Sequence, residues 1–266
     1  MFQFCTFASS SAGNAALLTC GSRHFLIDAG ISWTRIRRCL AGFGLTMEDL
    51  SALFITHVHS DHTAGLATIL KRHSIPIRCS RQTAAQLARR WEGAGAVLEP
   101  FEAGDTILVE GCAVTSIPLS HDAWGACGYR FDWQGRSLGV LTDTGIVPEA
   151  AACLEGVDIL LLEANHDVEA LLSGPYPYDL KERVMGRQGH LSNEAAAQFA
   201  AACALAGTRD IILAHLSEEN NTPQMARSAV GRALEAVGYQ GRLSVAPRRE
   251  MGEVHVLEVA ECSVSR

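Results

Sequence analysis

Four side chains of the types that bind metal ions fall within six positions of this sequence. They are His57, His59, Asp61 and His62, and they follow an apolar run at 52–55. Imidazole and carboxylate ligands suit zinc or manganese, and a site built without cysteine leaves coordination positions open for water. Without a cation, groups this close together would repel one another or stay unsatisfied. The spacing therefore predicts a binuclear metal site that carries out a reaction.

The backbone around this run suggests how the ligands are shared. Side chains alternate along an extended segment, so His57 and His59 point to the same side while Val58 points away. We expect these two histidines to share one metal. Asp61 and His62 fall at the start of the following helix, where the turn brings them beside the first pair and supplies ligands for a second metal.

Short β-like runs recur along the chain, and each leads to a polar residue that could do chemistry. A packed sheet fixes positions while loops leave room for substrate, so α/β scaffolds build sites from strand ends. The runs and residues are 25–27 before Asp28, 52–56 before His57, 114–119 before His121, 138–142 before Asp143, 159–162 before Glu163 and 211–214 before His215. We expect all six ends to converge on one edge.

Helices are predicted between these strands, at 33–41, 64–73, 83–92, 193–206 and 223–237. Ser192 or Asn193 suits the N-cap of the fourth helix, with Glu194 in its first turn, and Pro223 suits the first position of the fifth. The segment 173–177 is predicted to be an ordered loop.

Length and composition indicate a well-buried globular protein. The chain has 266 residues, enough for one large α/β domain and short for two, so one domain over 1–266 is expected. Hydrophobic residues make up 48%, yet no run of eighteen apolar residues could span a bilayer. The N-terminus does not resemble a signal peptide, and nine cysteines include no C-x-x-C pair. Both observations predict a cytoplasmic protein with reduced thiols.

The net charge of −7 argues against a surface uniformly suited to polyanions, so a nucleic-acid substrate would need local basic patches. Most basic clusters in this sequence are expected to be solvated arginines on helix faces. The clusters are Arg35 with Arg37 and Arg38, Lys71 with Arg72 and His73, Arg89 with Arg90, and Lys181 with Arg183 and Arg187.

The H-x-H-x-D-H run after a strand resembles the signature of the metallo-β-lactamase fold superfamily, and the similarity extends over nearly the whole chain. The resemblance implies an α/β (α+β) fold, a four-layer αββα sandwich of two mixed β-sheets flanked by helices. It also implies roles for four further residues: Asp28 orients the histidine ligands, His121 is the third-motif ligand, Asp143 the bridging carboxylate and His215 the last ligand.

The same resemblance implies two ligand sets. One metal is held by His57, His59 and His121 with Asp143, and the other by Asp61, His62 and His215 with Asp143. Asp61 is thereby both a ligand and a catalytic residue. Two cations roughly 3.5–4 Å apart can share a hydroxide and stabilise the attacking and leaving oxygens.

Several segments resemble the branch of this superfamily called YycJ or WalJ, which is associated with phosphodiester hydrolysis, including exonuclease action on DNA. These segments are 9–14, 162–167, 189–194 and 215–221. Glu163 and His190 also resemble the arrangement in tRNase Z, where a carboxylate orients a histidine that protonates the leaving oxygen. An imidazolium held in this way is a suitable general acid for an alkoxide leaving group.

The substrate contacts are less specified. Ser192, Asn220 and Asn221 could donate to phosphate oxygens, although Ser and Asn before a helix are often simple caps. His166 either faces the metals or substrate, or only bridges backbone groups, and the sequence does not decide between the two. The chain lacks the long insertion of β-CASP nucleases and the exosite arm of tRNase Z, which disfavours messenger RNA and tRNA.

The leading hypothesis is a metal-dependent phosphodiesterase that acts as a DNA exonuclease, using metal-bridged hydroxide. Two divalent ions are expected, with Zn²⁺ favoured by affinity and Mn²⁺ as the alternative. The runner-up is a small-molecule hydrolase, such as a cyclic-phosphate phosphodiesterase, which the net charge of −7 favours. A non-catalytic binder on the same scaffold is disfavoured because all seven ligand positions are intact. No membrane partner is expected, and the sequence does not indicate the oligomeric state.

Overall fold

The computed structural model of the protein describes residues 1–259. Within this range, fourteen strands form two seven-stranded mixed sheets. In chain order the strands are β1 Phe2–Ala8, β2 Ala15–Cys20, β3 Arg23–Ile27, β4 Leu50–Phe54, β5 Ile77–Ser80, β6 Leu98–Phe101, β7 Thr106–Val109, β8 Cys112–Pro118, β9 Cys127–Trp133, β10 Arg136–Leu141, β11 Ile159–Glu163, β12 Asp210–Ala214, β13 Arg242–Val245 and β14 His255–Leu257. The first sheet runs β14-β1-β2-β3-β4-β5-β6, and the second runs β13-β12-β11-β10-β9-β8-β7.

Eight α-helices lie between the strands in the part of the chain that the structure describes. They are α1 Trp33–Ala41, α2 Ser60–Thr63, α3 Leu66–Arg72, α4 Arg81–Arg90, α5 Val168–Ser173, α6 Tyr178–Met185, α7 Asn193–Leu205 and α8 Pro223–Ala236, with 3₁₀ turns at Met47–Asp49, Ala94–Ala96 and Glu149–Leu154. One buried apolar cluster lies between the sheets, a second packs α1, α3 and α4 on the first sheet, and a third packs α7 and α8 on the second. The predicted four-layer αββα sandwich of two mixed sheets is therefore confirmed.

Aromatic side chains between the sheets hold the segment that leads to the site. The ring centroids of Phe54 lie 5.0 Å from Phe131 and 5.5 Å from Tyr129, both in edge-to-face arrangements. Truncating a fully buried Phe to Ala typically costs about 3–5 kcal/mol, because transfer energy and packing are both lost. The Tyr129 hydroxyl donates to the Ile55 carbonyl over 2.6 Å. This bond fixes the backbone just before His57.

The helices differ from the sequence prediction at two boundaries and in two short helices that were not predicted. The helix predicted at 64–73 is shorter, because α3 runs from Leu66 to Arg72. Gly65 precedes it and lies so close to the main chain that an added Cβ would be 2.4 Å from the Ile31 carbonyl oxygen. The helix predicted at 83–92 begins earlier, at Arg81, because the Ser80 side chain accepts from the Thr83 amide and caps it. Helices α5 and α6 were not predicted; both are short, and α6 buries no residue fully.

The eight cysteines within residues 1–259 are all free, and most are buried, while Cys262 lies outside the described residues. Burial raises the pKa of the Cys79 and Cys127 thiols to about 12, which makes both unreactive. No helix within the described range is long and apolar enough to cross a membrane.

Candidate metal centre

Neighbouring strand ends deliver the chemical groups to one edge of the sandwich. In the second sheet, β10, β11 and β12 run parallel, and they lead to Asp143, Glu163 and His215. In the first sheet, the parallel pair β3 and β4 leads to Asp28 and His57. Parallel strands end at a common edge, so these side chains meet there because of the topology.

Three of these residues sit in a strained backbone region. Asp28, Asp143 and His215 have φ angles of +58°, +61° and +55°. Residues other than glycine rarely adopt such left-handed angles, and each instance costs on the order of 1–3 kcal/mol. Here the turn lets the side chain leave the strand end and point into the cluster.

The first ligand cluster contains His57, His59 and His121, each with a ring nitrogen within 4.8 Å of the others. The His121 Nε2 and His59 Nδ1 atoms lie 3.3 Å apart. His57 is fully buried, and burial together with the neighbouring His62 lowers its pKa well below the usual value. A neutral imidazole is the form that binds a metal.

The second cluster contains Asp61, His62, Asp143 and His215, again with ligand atoms within 4.8 Å of one another. Asp61 Oδ2 lies 3.4 Å from both His62 Nε2 and His215 Nε2. Asp143 Oδ2 lies 3.2 Å from His62 Nε2. The Asp143 charge also acts on His57 of the first cluster, where it favours the protonated ring. The two predicted ligand sets are thus brought together side by side.

Two buried atoms in these clusters lack partners. Within residues 1–259, His57 Nε2 and Asp143 Oδ2 make no hydrogen bond. Leaving buried polar atoms unpaired is costly, so such atoms call for a ligand. Five imidazoles and two carboxylates in these two groups match the donors that divalent zinc or manganese prefers. The residues present therefore fit two divalent ions.

Carboxylates behind the histidines fix which ring nitrogen faces the cluster. Asp28 Oδ2 lies 2.7 Å from His62 Nδ1, and Glu163 Oε1 lies 2.9 Å from His215 Nδ1. A carboxylate only accepts, so each Nδ1 carries the proton and each Nε2 is left for a metal. The Thr56 amide donates to Asp28 Oδ1 over 2.9 Å and holds that carboxylate in place. Asp28 therefore lies where it can orient the His62 ring.

Glu163 and His190 form a second carboxylate–imidazole pair. His190 Nδ1 lies 2.8 Å from Glu163 Oε1, while Glu163 Oε2 accepts from the amides of Thr144 and Leu191 at 3.1 Å. Burial alone would raise the pKa of Glu163, but the neighbouring His190 lowers it to about 2. Burial disfavours the charged form of His190, and the Glu163 carboxylate more than offsets this, so its pKa is raised.

Sequence reasoning missed two further residues at the first cluster. Asp122 Oδ1 lies 3.4 Å from both His59 Nε2 and His121 Nε2, and Arg183 Nε donates to Asp122 Oδ2 over 2.8 Å. Both signals were in the sequence, because Asp122 follows His121 directly and Arg183 belongs to a basic cluster near His190. Asn14 was also missed: its Nδ2 lies 3.0 Å from His62 Nε2.

The residues predicted to contact substrate do not line the cluster as expected. Asn221 is buried, and its amide is used by the Ala164 carbonyl and the Asn193 side chain. Asn220 is also buried, with its Nδ2 directed at Ser217 Oγ. In the structure both side chains make their contacts inside the loops, and phosphate donation by this pair stays a prediction.

Ser192 and His166 have structural partners as well. The Ser192 hydroxyl caps α7 by accepting from the Ala195 amide over 3.2 Å. The His166 carbonyl accepts from the Asn193 amide, and its ring is buried, which lowers its pKa to about 4. The bond to Asn193 is made by the main chain of His166 and not by its ring, whose Nδ1 is without a partner within residues 1–259.

Two facing sheets with a His/Asp cluster at their shared edge define a metal-dependent hydrolase of the αββα class. A family model described as the β-lactamase superfamily domain matches residues 23–216. The chain is 37% identical over 230 residues to the exodeoxyribonuclease WalJ of Streptococcus pneumoniae serotype 2 (strain D39 / NCTC 7466), covering 85% of each chain. It is 32% identical over 246 residues to the exodeoxyribonuclease YycJ of Bacillus anthracis, covering 89% of this chain and 90% of that protein.

Solved structures agree on the fold. The metallo-β-lactamase fold protein YhfI from Bacillus subtilis superposes with a TM-score of 0.72 at 15% sequence identity, covering 96% of this chain and 98% of that chain. This chain belongs to the metallo-β-lactamase superfamily, in the branch that contains WalJ and YycJ. The resemblance identified from the sequence is thereby confirmed.

Proposed function

We propose that this chain is a metal-dependent phosphodiesterase that degrades DNA from an end. The observation that carries the proposal is the Glu163–His190 pair, which lies next to the second ligand cluster: His190 Nδ1 is 3.7 Å from Asp143 Oδ1. The names of the relatives, exodeoxyribonucleases WalJ and YycJ, support DNA as the substrate.

The proposed ligands are those of the two clusters. One ion would be held by His57, His59 and His121, and the other by Asp61, His62, Asp143 and His215, with Asp143 proposed to reach both. Divalent ions bound there supply Lewis-acid chemistry, because they lower the pKa of water and offset charge on a phosphate. Zinc is the proposed ion by ligand type, with manganese as the alternative.

The chain's own groups account for the proton on the leaving oxygen. Glu163 is acceptor-only and holds the proton on His190 Nδ1, which leaves Nε2 to donate to an alkoxide when the ring is protonated. An alkoxide is a poor leaving group in phosphodiester hydrolysis, so this donation accelerates the reaction by about 10²–10⁴-fold. Glu163 also binds His215, so one carboxylate aligns both a ligand and the proposed acid.

The proposal is tested by assaying the purified protein with zinc and separately with manganese. The substrates are end-labelled duplex DNA, single-stranded DNA, RNA of the same sequence and a chromogenic bis-aryl phosphodiester. We expect DNA to shorten from one end. Cleavage of the chromogenic compound alone would instead favour a small-molecule phosphodiesterase, the alternative that the net charge of −7 supports.

A matched pair of variants ties activity to the site. Asp61→Ala should abolish turnover of every substrate while the far-ultraviolet circular dichroism stays unchanged, because Asp61 is partly exposed and supports no core packing. Asp105→Ala, at an exposed position before β7, is the control and should retain full activity. Residual turnover above one percent in Asp61→Ala would contradict the proposed site.

A further inference from the structure

The loop at 119–126, between β8 and β9, carries both a metal-cluster residue and an exposed aromatic side chain. The Leu119 amide donates to the Ala126 carbonyl over 3.0 Å and closes the loop. His121 is buried in the first cluster, whereas Trp124 is 65% exposed. Since consecutive Cα atoms are about 3.8 Å apart, the Trp124 Cα lies within about 11 Å of the His121 Cα. A solvent-exposed indole is therefore carried by the same short loop as a residue of the proposed reaction centre.

The backbone under Trp124 is held rigidly. Gln86 Nε2 donates to the Trp124 carbonyl over 2.8 Å, and the Gly125 carbonyl accepts from Ser80 Oγ over 2.7 Å. Gly125 has φ +80°, and a Cβ there would lie 2.4 Å from Gln82 Cβ, so the turn requires glycine. A fixed backbone presenting an exposed indole is a preorganised contact surface, because little conformational entropy remains to be lost on binding.

Basic side chains lie on the same loop's other flank. A cavity of about 700 Å³ is lined by Ser120, Asp122, Arg183, Gly186, Arg187 and Gln188. Arg183 and Arg187 are both exposed. Asp122 aligns Arg183 through Nε and Nη2, and Ser120 Oγ donates to the Arg187 carbonyl over 2.7 Å. The Ser120 bond holds the main chain of Arg187, whose exposed guanidinium is of the type that suits phosphate oxygens, whereas Arg183 already shares two of its donors with Asp122.

We propose that Trp124 stacks on an unpaired base of the DNA strand being cut, while Arg183 and Arg187 contact a neighbouring phosphate. This inference rests on the proposed function and names how its substrate is held. With a net charge of −7, phosphate contacts alone give weak binding that salt weakens further. Base–aromatic stacking adds affinity that does not depend on the base identity, and its loss on alanine substitution weakens binding by roughly five- to hundredfold.

The test measures binding and cleavage separately. Binding of dye-labelled single-stranded DNA is followed by fluorescence anisotropy in an Asp61→Ala background, which prevents turnover. Adding Trp124→Ala should weaken binding about tenfold, and Trp124→Phe should restore most of it because phenylalanine also stacks. Leu205→Ala, which removes a 72%-exposed apolar side chain at the end of α7, is the control and should bind as tightly as the parent.

Abasic DNA identifies the contact. One abasic nucleotide is placed in turn at each of the last three positions of either end of the DNA. At one of these positions the missing base should weaken binding to the protein with Trp124 intact as much as Trp124→Ala weakens binding of normal DNA. At that position the abasic nucleotide and Trp124→Ala together should weaken binding no more than either change alone. The inference would be overturned if the losses in affinity were additive at every position. It would also be overturned if Trp124→Ala bound normal DNA as tightly as the protein with Trp124 intact.

Cleavage distinguishes this inference from the proposed function. With Asp61 intact, Trp124→Ala should raise KM for DNA and lower the ratio of DNA to chromogenic turnover. If DNA is cut but binding is independent of Trp124, only the stacking inference fails. If DNA binds through Trp124 and is never cut, the exonuclease proposal fails and the stacking surface stands.

Discussion

His190 Nδ1 lies 2.8 Å from Glu163 Oε1, and the carboxylate is fully buried. The other Glu163 oxygen is occupied by two backbone amides, so the side chain cannot turn away. Since a carboxylate accepts only, His190 is held with its proton on Nδ1 and its Nε2 directed elsewhere. A proton donor in a fixed orientation beside the ligand clusters leads to the first prediction.

Replacing His190 by alanine should slow DNA cleavage by about 10²–10⁴-fold and slow a bis-aryl phosphodiester far less. An aryl oxide leaves without a proton, whereas a nucleotide alkoxide needs one. The measurement is kcat/KM for both substrates in the presence of the same metal ion. Equal losses on the two substrates would assign His190 to structure or metal binding instead.

Glu163→Gln should reproduce only part of the His190 effect. The amide keeps the size of the side chain, but its NH₂ group must face either both histidines, which share Oε1, or the two backbone amides that donate to Oε2. Misalignment of His215 then also weakens metal binding. We expect a loss on both substrates, larger on DNA, together with reduced metal content measured by plasma mass spectrometry. A full metal complement with unchanged turnover would show that Glu163 does not align these rings.

Asp28→Asn should lower metal affinity by about 10–100-fold without unfolding the protein. Asp28 Oδ2 is 2.7 Å from His62 Nδ1, and Asn would place a donor where the ring also donates or force the ring to flip. Competition with a chromogenic chelator measures the affinity. Asp105→Asn serves as the control, since that residue is exposed at the start of β7. Identical chelator curves for Asp28→Asn and the parent would contradict the assigned role.

Removing the metal ions should destabilise the fold. A ligand at one hundred times its Kd contributes about 2.7 kcal/mol, and in a protein of this size that corresponds to a fall in Tm of roughly 5–10 °C. Differential scanning calorimetry with and without chelator measures the shift. In Asp61→Ala the fall in Tm on adding chelator should be smaller, because one ligand of the second cluster is already gone. An unchanged Tm after verified metal removal would argue against ions in the buried clusters.

The sequence predicted the strands and the ligand clusters well because both depend on short-range patterns. Apolar runs ending in His or Asp are local signals, and parallel pairing then forces their ends together. Helix α6 shows the limit. It is short and buries no residue fully, and the bond from its Arg183 to Asp122 joins segments far apart in the sequence, which no local pattern indicates.

The predicted substrate contacts show a related limit. Asn220 and Asn221 carry donors that suit phosphate, but burial decides whether a donor is available, and burial is a tertiary property. Asn221 is used up by Ala164 and Asn193, which come from distant segments. Trp124 was overlooked for the opposite reason, because a single exposed aromatic has no sequence pattern.

A polar network remote from the metal centre leads to a prediction about stability and pH. Asp210 opens β12, where Arg242 Nη2 donates to its Oδ2 over 2.6 Å and His255 Nδ1 lies 2.8 Å from the same oxygen. Burial raises the pKa of Asp210, but the bonds to His255 and Arg242 lower it to about 2. The folded-state pKa is therefore below the value of about 3.9 for an unfolded chain.

A depressed carboxyl pKa stabilises the fold above the unfolded pKa, and this contribution is lost as pH falls from about 4 toward 2. Asp210→Asn should therefore lower the urea midpoint at pH 7, and its deficit relative to the parent should shrink as pH falls below about 4. Urea titrations between pH 7 and pH 3 measure this, with Asp105→Asn expected to follow the parent throughout. A deficit that stays constant with pH would mean that the Asp210 charge contributes nothing, and that Asn is disfavoured there only for its shape.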